Sequence, residues 1–568
     1  MNQRLTRRRF GKLAISGTAA TAISILANKT FAQTPLQGTY GVLTQHNDNS
    51  RTGTYWNEIV LKTANVNQYQ FGKLFTRPVD GHIYAQPLYL YNVNIPNQGI
   101  HNVIYVATMH NTVYAFDADN PKTPNPLWKT SLEPSVPLPD VNIGKPGYTD
   151  ISVEVGIVST PVISLKNNAL YVVVFTKDSN SYSHRLHALD LLTGAEKFGG
   201  PVQISASVPG SGDGNINGIV TFVSNTQIQR PALLLANDTV YIAFASYKDA
   251  DPYHGWVFGY NATTLALVAL FNDTPNGQEG GIWQGGQGPA ADSQGNLYLL
   301  TGNGSFSPDG SALGSSFVKL NPNLSLADWF CPYNHYELNE QDCDLGSSGI
   351  LLIPGTNLLL GGGKEGIFYL LDRNNLGGDN SVNGNDSQIV QSFAAVSNPN
   401  CITDNPTLTH HIHSGPSYWN GPNGPCIYVW PENDYLKAFK LVNGQFQTTP
   451  ASQSTTTAPT GIAGGSPGMT GGALSISANG NTAGTGIVWA SHPYDRDANK
   501  QVVTGILRAY DASNLTRELW NSKQNPIRDD IGNFAKFCPP TVANGKVYLA
   551  TFSGYLAVYG LLPGSLIL

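Results

Sequence analysis

One short strand pattern recurs eight times along the chain, and it limits the possible folds more than any other feature. It reads VIYVAT from Val103, ALYVVV from Ala169, TVYIAF from Thr239 and NLYLLT from Asn296. It continues as NLLLGG from Asn357, CIYVWP from Cys426, GIVWAS from Gly486 and KVYLAT from Lys546, so successive copies start 57 to 70 residues apart. Self-similarity at a steady period of β-forming sequence marks a repeat architecture. Each copy is followed by a turn and a strand ending on an acidic residue or Asn. Tyr114-Ala115-Phe116-Asp117, His187-Ala188-Leu189-Asp190 and Arg508-Ala509-Tyr510-Asp511 show this best. A further strand often ends in an aromatic, as in Leu127-Trp128 and Leu519-Trp520. Apolar and aromatic runs between Gly, Asn and Asp turns predict antiparallel strands. One such unit is a four-stranded sheet that cannot bury both faces alone, so it must pack against neighbours around an axis. The chain is therefore expected to be all-β, an eight-bladed β-propeller of four-stranded antiparallel blades. The last unit, Phe534 to Gly560, lacks a full outer strand, and the segment Gly38 to Thr76 has no unit of its own. That N-terminal segment is expected to supply the missing strand and close the ring, which removes exposed edges.

Composition agrees with this architecture. Only 12% of the 568 residues are charged, and the 60 Gly and 27 Tyr point to tight turns and buried strands rather than long solvated helices. A net charge of −6 is far from the basic surface that nucleic-acid binding requires. The first residues stand apart. Leu5-Thr6-Arg7-Arg8-Arg9-Phe10-Gly11-Lys12 resembles a twin-arginine export signal, with a modest apolar run from Leu13 to Ala27 and a small-residue cleavage site at Thr30-Phe31-Ala32. Residues 1–32 are thus expected to be a signal peptide and residues 33–568 a single propeller domain, periplasmic and without a membrane span.

The five cysteines suit an oxidising compartment. Cys331 with Cys343, and Cys401 with Cys426, would each close a short local loop, although spacing does not fix the connectivity. Cys538 would be left over, buried beside Pro539 and Pro540. The chain has no C-x-x-C-H haem motif, no G-x-S-x-G elbow and no phosphate-binding G-x-x-x-x-G-K-[ST]. Gly361-Gly362-Gly363, Gly464-Gly465 and Gly280-Gly281-Ile282-Trp283 are read as loops.

The repeat, an apolar-Tyr-apolar strand followed by Ala-x-Asp and a Trp, is similar to that of the quinoprotein alcohol dehydrogenase family over nearly the whole mature chain. The resemblance implies a pyrroloquinoline quinone (PQQ) and a calcium ion on the propeller axis. Three segments match the family's cofactor motifs in order. Leu300-Thr301-Gly302-Asn303-Gly304 resembles the strand end whose Asn ligates calcium, as suits a hard cation that prefers oxygen. Asp342-Cys343-Asp344-Leu345-Gly346 resembles the segment of the catalytic aspartate, a place taken here by Asp344, which would also lie at the metal. Gly363-Lys364-Glu365-Gly366 opens a segment whose Lys contacts the quinone oxygens. The family's second calcium ligand is a glutamate in the preceding blade, where this chain offers Asp249 or Asp251, with Asp249 preferred. Gly346 stands where lanthanide-dependent members carry a further aspartate, so the pattern is calcium-like.

The chain also departs from the family. The adjacent-cysteine disulfide over one quinone face is absent. The tryptophan that stacks on the other face would fall near Gly286, with Trp283 close but displaced. The arginine near the quinone carboxylates is replaced around Glu154-Val155-Gly156.

On this reading the protein is a PQQ- and calcium-dependent dehydrogenase acting on an alcohol, polyol or aldose. Asp344 is the base, Asn303, Asp249 and Asp344 hold the metal, and Lys364 and Trp283 contact the quinone. Electrons would pass to a separate periplasmic acceptor. The alternative is a non-catalytic periplasmic propeller that binds a protein or glycan partner through its loops. A second candidate site is His410-His411-Ile412-His413, where His411 and His413 would point the same way from an extended backbone and could ligate a transition metal. His46, His82, His110 and His492 lie near strand ends and could face the axis.

Overall fold

The computed structural model describes residues 41–179, 181–399, 401, 410–459 and 468–564. The export-signal segment and Gly464-Gly465 lie outside the described residues. Eight antiparallel sheets follow one another along the chain, each with four main strands. All eight copies of the sequence repeat fall on the second strand of a blade: Gly99–Ala107, Ala169–Asp178, Thr239–Ser246, Leu297–Leu300, Leu358–Gly362, Gly424–Val429, Ile487–Pro493 and Lys546–Leu549. These strands are apolar on both sides because both blade faces are covered. The α-helices among the described residues are two short ones, His335–Glu340 and Pro526–Asp529.

The core runs from blade to blade. Tyr171, Val173 and Leu186 of blade 2 pack on Val240, Ile242 and Phe244 of blade 3. Tyr241, Ala243 and Val257 of blade 3 pack in turn on Leu297, Leu299 and Val318 of blade 4. The repeat tyrosine adds a directional contact. In every copy that carries it except Tyr298, which donates to Asp292 of its own blade, its hydroxyl crosses to the next blade and donates to a backbone carbonyl in the turn after the third strand. Tyr105 reaches the Leu191 carbonyl at 3.0 Å, Tyr241 that of Pro322 at 2.7 Å, and Tyr428 that of Ala512 at 2.8 Å. The acceptor follows the Asp or Asn that ends the third strand. That residue shapes the turn by taking backbone N–H groups onto its side chain, as Asp117 does from Asp119 and Asn120 at 2.8 and 2.9 Å. The two halves of the repeat signature, Tyr and Ala-x-Asp, are therefore the two sides of one inter-blade contact.

Blade 8 is completed as the sequence predicts. Phe71–Pro78 pairs antiparallel with Tyr555–Leu561 as its outer strand, with Thr76 opposite Ala557. Phe71 wedges into the neighbouring blade, its ring edge-on to Trp520 at 5.0 Å and 5.2 Å from Trp489. On the other side Tyr548 donates to the Ala118 carbonyl of blade 1 at 3.3 Å, and the buried Arg77 donates to the Asp117 carbonyl at 2.9 Å. Blade 8 is thus joined to blades 7 and 1.

Candidate active site

Two kinds of segment meet at one end of the axis: the turns that leave the second strands, and the connections between blades. Together they line a funnel of about 480 Å³, within the usual size of a small-molecule site. The turns contribute Asp249, Lys364 and Glu432, and the connections contribute Arg230, Trp283, Asp344, His411, His413 and Lys536.

Asp344 is held at both oxygens. Lys364 Nζ lies 2.7 Å from its Oδ2, and the Asn303 backbone N–H donates to its Oδ1 at 3.1 Å. Lys364 also meets Asp342, 3.1 Å from Oδ2 and 2.8 Å from the carbonyl. Burial by itself would lower the Lys364 ammonium, but the charges and hydrogen bonds of Asp344 and Asp342 together outweigh it and hold the group well above the usual lysine range. Glycines permit this crowding. A Cβ on Gly363 would stand 2.2 Å from the Asp344 carbonyl, and one on Gly302 would stand 2.5 Å from the Trp283 ring and 3.0 Å from Asp344 Oδ1. The Trp283 indole consequently lies against the Gly302 backbone, beside the carboxylate, and donates to the Ser246 carbonyl at 3.2 Å.

Asn303 is buried, and its Oδ1 has no hydrogen-bond partner among the described residues. Its amide nitrogen faces Asp342 Oδ1 at 3.4 Å. Asp249 is raised to about 6, first by burial and then by the charges of Asp344 and Asp342. Glu279 is raised to about 7, again by burial, with Asp251 and Asp249 adding to it. An orphaned amide oxygen beside crowded carboxylates is a donor set that suits a hard cation such as calcium.

The lining also carries buried cations. Arg230 is buried, with its guanidinium 4.6 Å from the Phe537 ring centre and 5.6 Å from that of Tyr84. Lys536 donates to the Asn499 carbonyl at 2.7 Å, and burial lowers it to about 8. A flat, polycarboxylated ligand would find an indole edge, Arg230 and Lys536 here, without the adjacent-cysteine disulfide of the family. The residues present fit the metal that the resemblance implies, and offer the quinone its charged contacts but not its full stacking clamp.

The structure brings Asp344, Lys364, Asn303, Asp249 and Trp283 to one place. It also gathers His411 and His413 there, their rings 5.5 Å apart, on either side of Glu432. His46, His82, His110 and His492 do not line the funnel. His82 stacks on Phe552 at 4.5 Å, His110 pairs with Glu154 at 3.0 Å, and His46 and His492 are buried. The expected cysteine pairs are corrected. Cys343 is bonded to Cys401, 58 residues away, while Cys331, Cys426 and Cys538 are free and buried. The two ends of blade 5 return to the same face, so its flanking residues meet across a long stretch of sequence. The bridge seats Cys401 Sγ 3.9 Å from His411 Nε2 and directly precedes Asp344.

Arg230, Lys536 and Glu432 line the site without a motif in the sequence that marks them. Arg230 comes from the blade 2–3 connection, one blade beyond the Glu154 region where the family resemblance places an arginine. Glu432 carried a usable signal. It follows its repeat strand as Asn303 and Lys364 follow theirs, in CIYVWPE beside NLYLLTGN and NLLLGGGK.

No protein-family model matches the chain, and no curated protein matches its sequence. Solved structures do match its fold. A quinohemoprotein alcohol dehydrogenase from Pseudomonas putida HK5 is 13% identical with a TM-score of 0.51, and the match covers 92% of this chain and 80% of that one. The quinohemoprotein alcohol dehydrogenase from Comamonas testosteroni is 15% identical with a TM-score of 0.51, over 92% of this chain and 81% of that one. In fold, this chain is an eight-bladed propeller similar to that of the quinohemoprotein alcohol dehydrogenases.

Proposed function

We propose that the protein is a PQQ- and calcium-dependent dehydrogenase that oxidises an alcohol, polyol or aldose. One observation carries the reading: Asp344 and Lys364 pair in the funnel beside Trp283, Arg230 and Lys536, and the buried Asn303, whose side-chain oxygen has no partner among the described residues, donates its backbone N–H to Asp344. Asn303, Asp249 and Asp344 would hold the calcium, and Trp283, Lys364, Arg230 and Lys536 the quinone. When bound, the quinone supplies a two-electron acceptor and the calcium a Lewis acid. Asp344 accepts the substrate hydroxyl proton at a carboxylate oxygen, within reach of the funnel. Lys364 and the Asn303 N–H fix the plane of that carboxylate. Lys364 also presents a fixed positive charge where negative charge develops. Arg230 and Lys536 bind carboxylates. Electrons pass to a separate acceptor. The Arg7-Arg8-Arg9 leader supports export to the periplasm by the twin-arginine route.

The test is reconstitution of the purified protein with PQQ and calcium, followed by dye reduction over an alcohol and sugar panel. Turnover is expected for the wild type and at least about 1,000-fold less for Asp344→Asn, consistent with loss of the proton acceptor and of its charge beside the metal. Absence of quinone binding and of turnover would favour a non-catalytic propeller that binds a protein or glycan through the same loops.

A further inference from the structure

A second cluster on the funnel wall plays no part in that chemistry. We propose that His411, His413 and Glu432 form a site for a divalent transition ion of the zinc type, with a coordination position open to the funnel. One ligating atom from each residue falls within a group no more than 4.8 Å across. His411 Nδ1 lies 3.1 Å from Glu432 Oε1, and His413 Nε2 lies 3.3 Å from Oε2. Around a tetrahedral ion with bonds of about 2.0–2.2 Å, neighbouring donors stand roughly 3.3–3.6 Å apart. Each histidine is therefore spaced from a Glu432 oxygen close to one such edge, and the widest separation in the group, within 4.8 Å, has to shorten by side-chain rotation when an ion is bound.

Burial and alignment supply an independent observation. His413 is 4% exposed and Glu432 2%. His413 Nε2 is fully shielded, and although it faces the carboxylate it makes no aligned hydrogen bond. Buried polar atoms are rarely left so.

The backbone holds the three donors in place. The Glu432 N–H donates to the His411 carbonyl at 3.1 Å, tying the turn of blade 6 to the connection before it. Ile412 is fully buried between the two histidines, and its carbonyl accepts from Ser347 Oγ at 2.8 Å. Anchoring Ile412 inward turns both imidazoles to the opposite side. Two imidazole nitrogens and one carboxylate favour a borderline ion over calcium, whose preference is for oxygen alone. Three protein donors leave a place for water or a ligand oxygen. All three residues line the funnel, so that place faces its contents. The ligand would be an anionic or hydroxylic oxygen.

Untagged full-length protein, stripped with chelator and titrated with Zn²⁺ by calorimetry and metal analysis, tests this. Uptake of about one zinc per chain is expected. His413→Ala and Glu432→Gln should each weaken it by more than the roughly 10–100-fold that loss of a supporting partner costs at such sites. Asp344→Asn, which removes a nearby charge but no donor, should weaken it far less than either, which separates this site from the proposed calcium site. Cobalt in place of zinc should give visible absorption that the same two variants lose. Thermal melts establish that the variants are folded, and the nearly isosteric Glu432→Gln carries the test should His413→Ala not fold. No zinc uptake, or uptake undiminished in a folded variant, would overturn the proposal.

Discussion

Asn303 divides its polar atoms among three tasks. Its backbone N–H holds Asp344, its side-chain nitrogen faces Asp342, and its side-chain oxygen is left over in a buried place. If that oxygen is a cation ligand, calcium binds the folded chain and not the unfolded one, and stabilises it by mass action. At a calcium concentration about 100-fold above the dissociation constant the gain is about 2.7 kcal/mol. The melting temperature of the wild type should therefore rise with added calcium, and that of Asn303→Ala should rise much less. Melting temperatures that ignore calcium in both proteins would remove the metal from the mechanism. Individual residues were legible in the sequence where a motif framed them, as with Asn303 between two glycines or Lys364 after three. Arg230 had no such frame: the rings it faces, Tyr84 and Phe537, come from segments of other blades, so only the closed ring reveals them. Glu432 shares with Asn303 and Lys364 the place just after its repeat strand, but no glycine motif marks it.

The contact between blades explains why the repeat has its particular letters. A hydroxyl on the second strand of one blade meets a carbonyl whose turn is shaped by the Asp or Asn of the next. Replacing Tyr105, Tyr241 or Tyr428 by Phe keeps the packing and deletes one buried hydrogen bond, at a cost of about 1 kcal/mol each. Denaturant unfolding of the three variants measures this, and the costs should add, because the sites are distant and share no partner. Blade 7 has Val488 in the tyrosine's place and meets blade 8 through packing instead, Trp489 lying 5.2 Å from the Phe71 ring. The sequence periodicity showed that strands existed and which of them repeated. It did not show the cysteine partners. A blade is an out-and-back excursion, so Cys343 and Cys401 at its two ends become neighbours, whereas Cys331 and Cys343, close in sequence, do not.

For the whole molecule, acid is the expected weakness. His46 and His184 are both buried and held near a pKa of about 4 by desolvation, and at His46 the charge of Arg51 adds to this. The unfolded chain takes up these protons near pH 6.5 and the folded chain only near 4. The stability that the two neutral rings contribute is therefore complete above pH 6.5 and is lost as pH falls toward 4, by up to about 1.4 kcal/mol per pH unit for each ring. His187 opposes this trend. It lies between Glu133 and Glu196 at 2.9 and 2.7 Å and is raised, so its contribution is lost as pH increases. His184 sits among Phe175, Phe222 and Phe244. His184→Phe should make unfolding free energy less steep by about one proton between pH 6.5 and 4, as read from denaturation at several pH values. An unchanged slope would mean that His184 does not titrate this way. The seam at blade 8 has a consequence for biosynthesis. The strand Phe71–Pro78 leaves the ribosome several hundred residues before its partner Tyr555–Leu561. Until that partner is made, the nascent chain carries an unmatched ribbon and an open circle behind it. A stop anywhere before Tyr555 would thus forfeit the latch along with the missing blade, and the product would be left as vulnerable to proteolysis as a much shorter one.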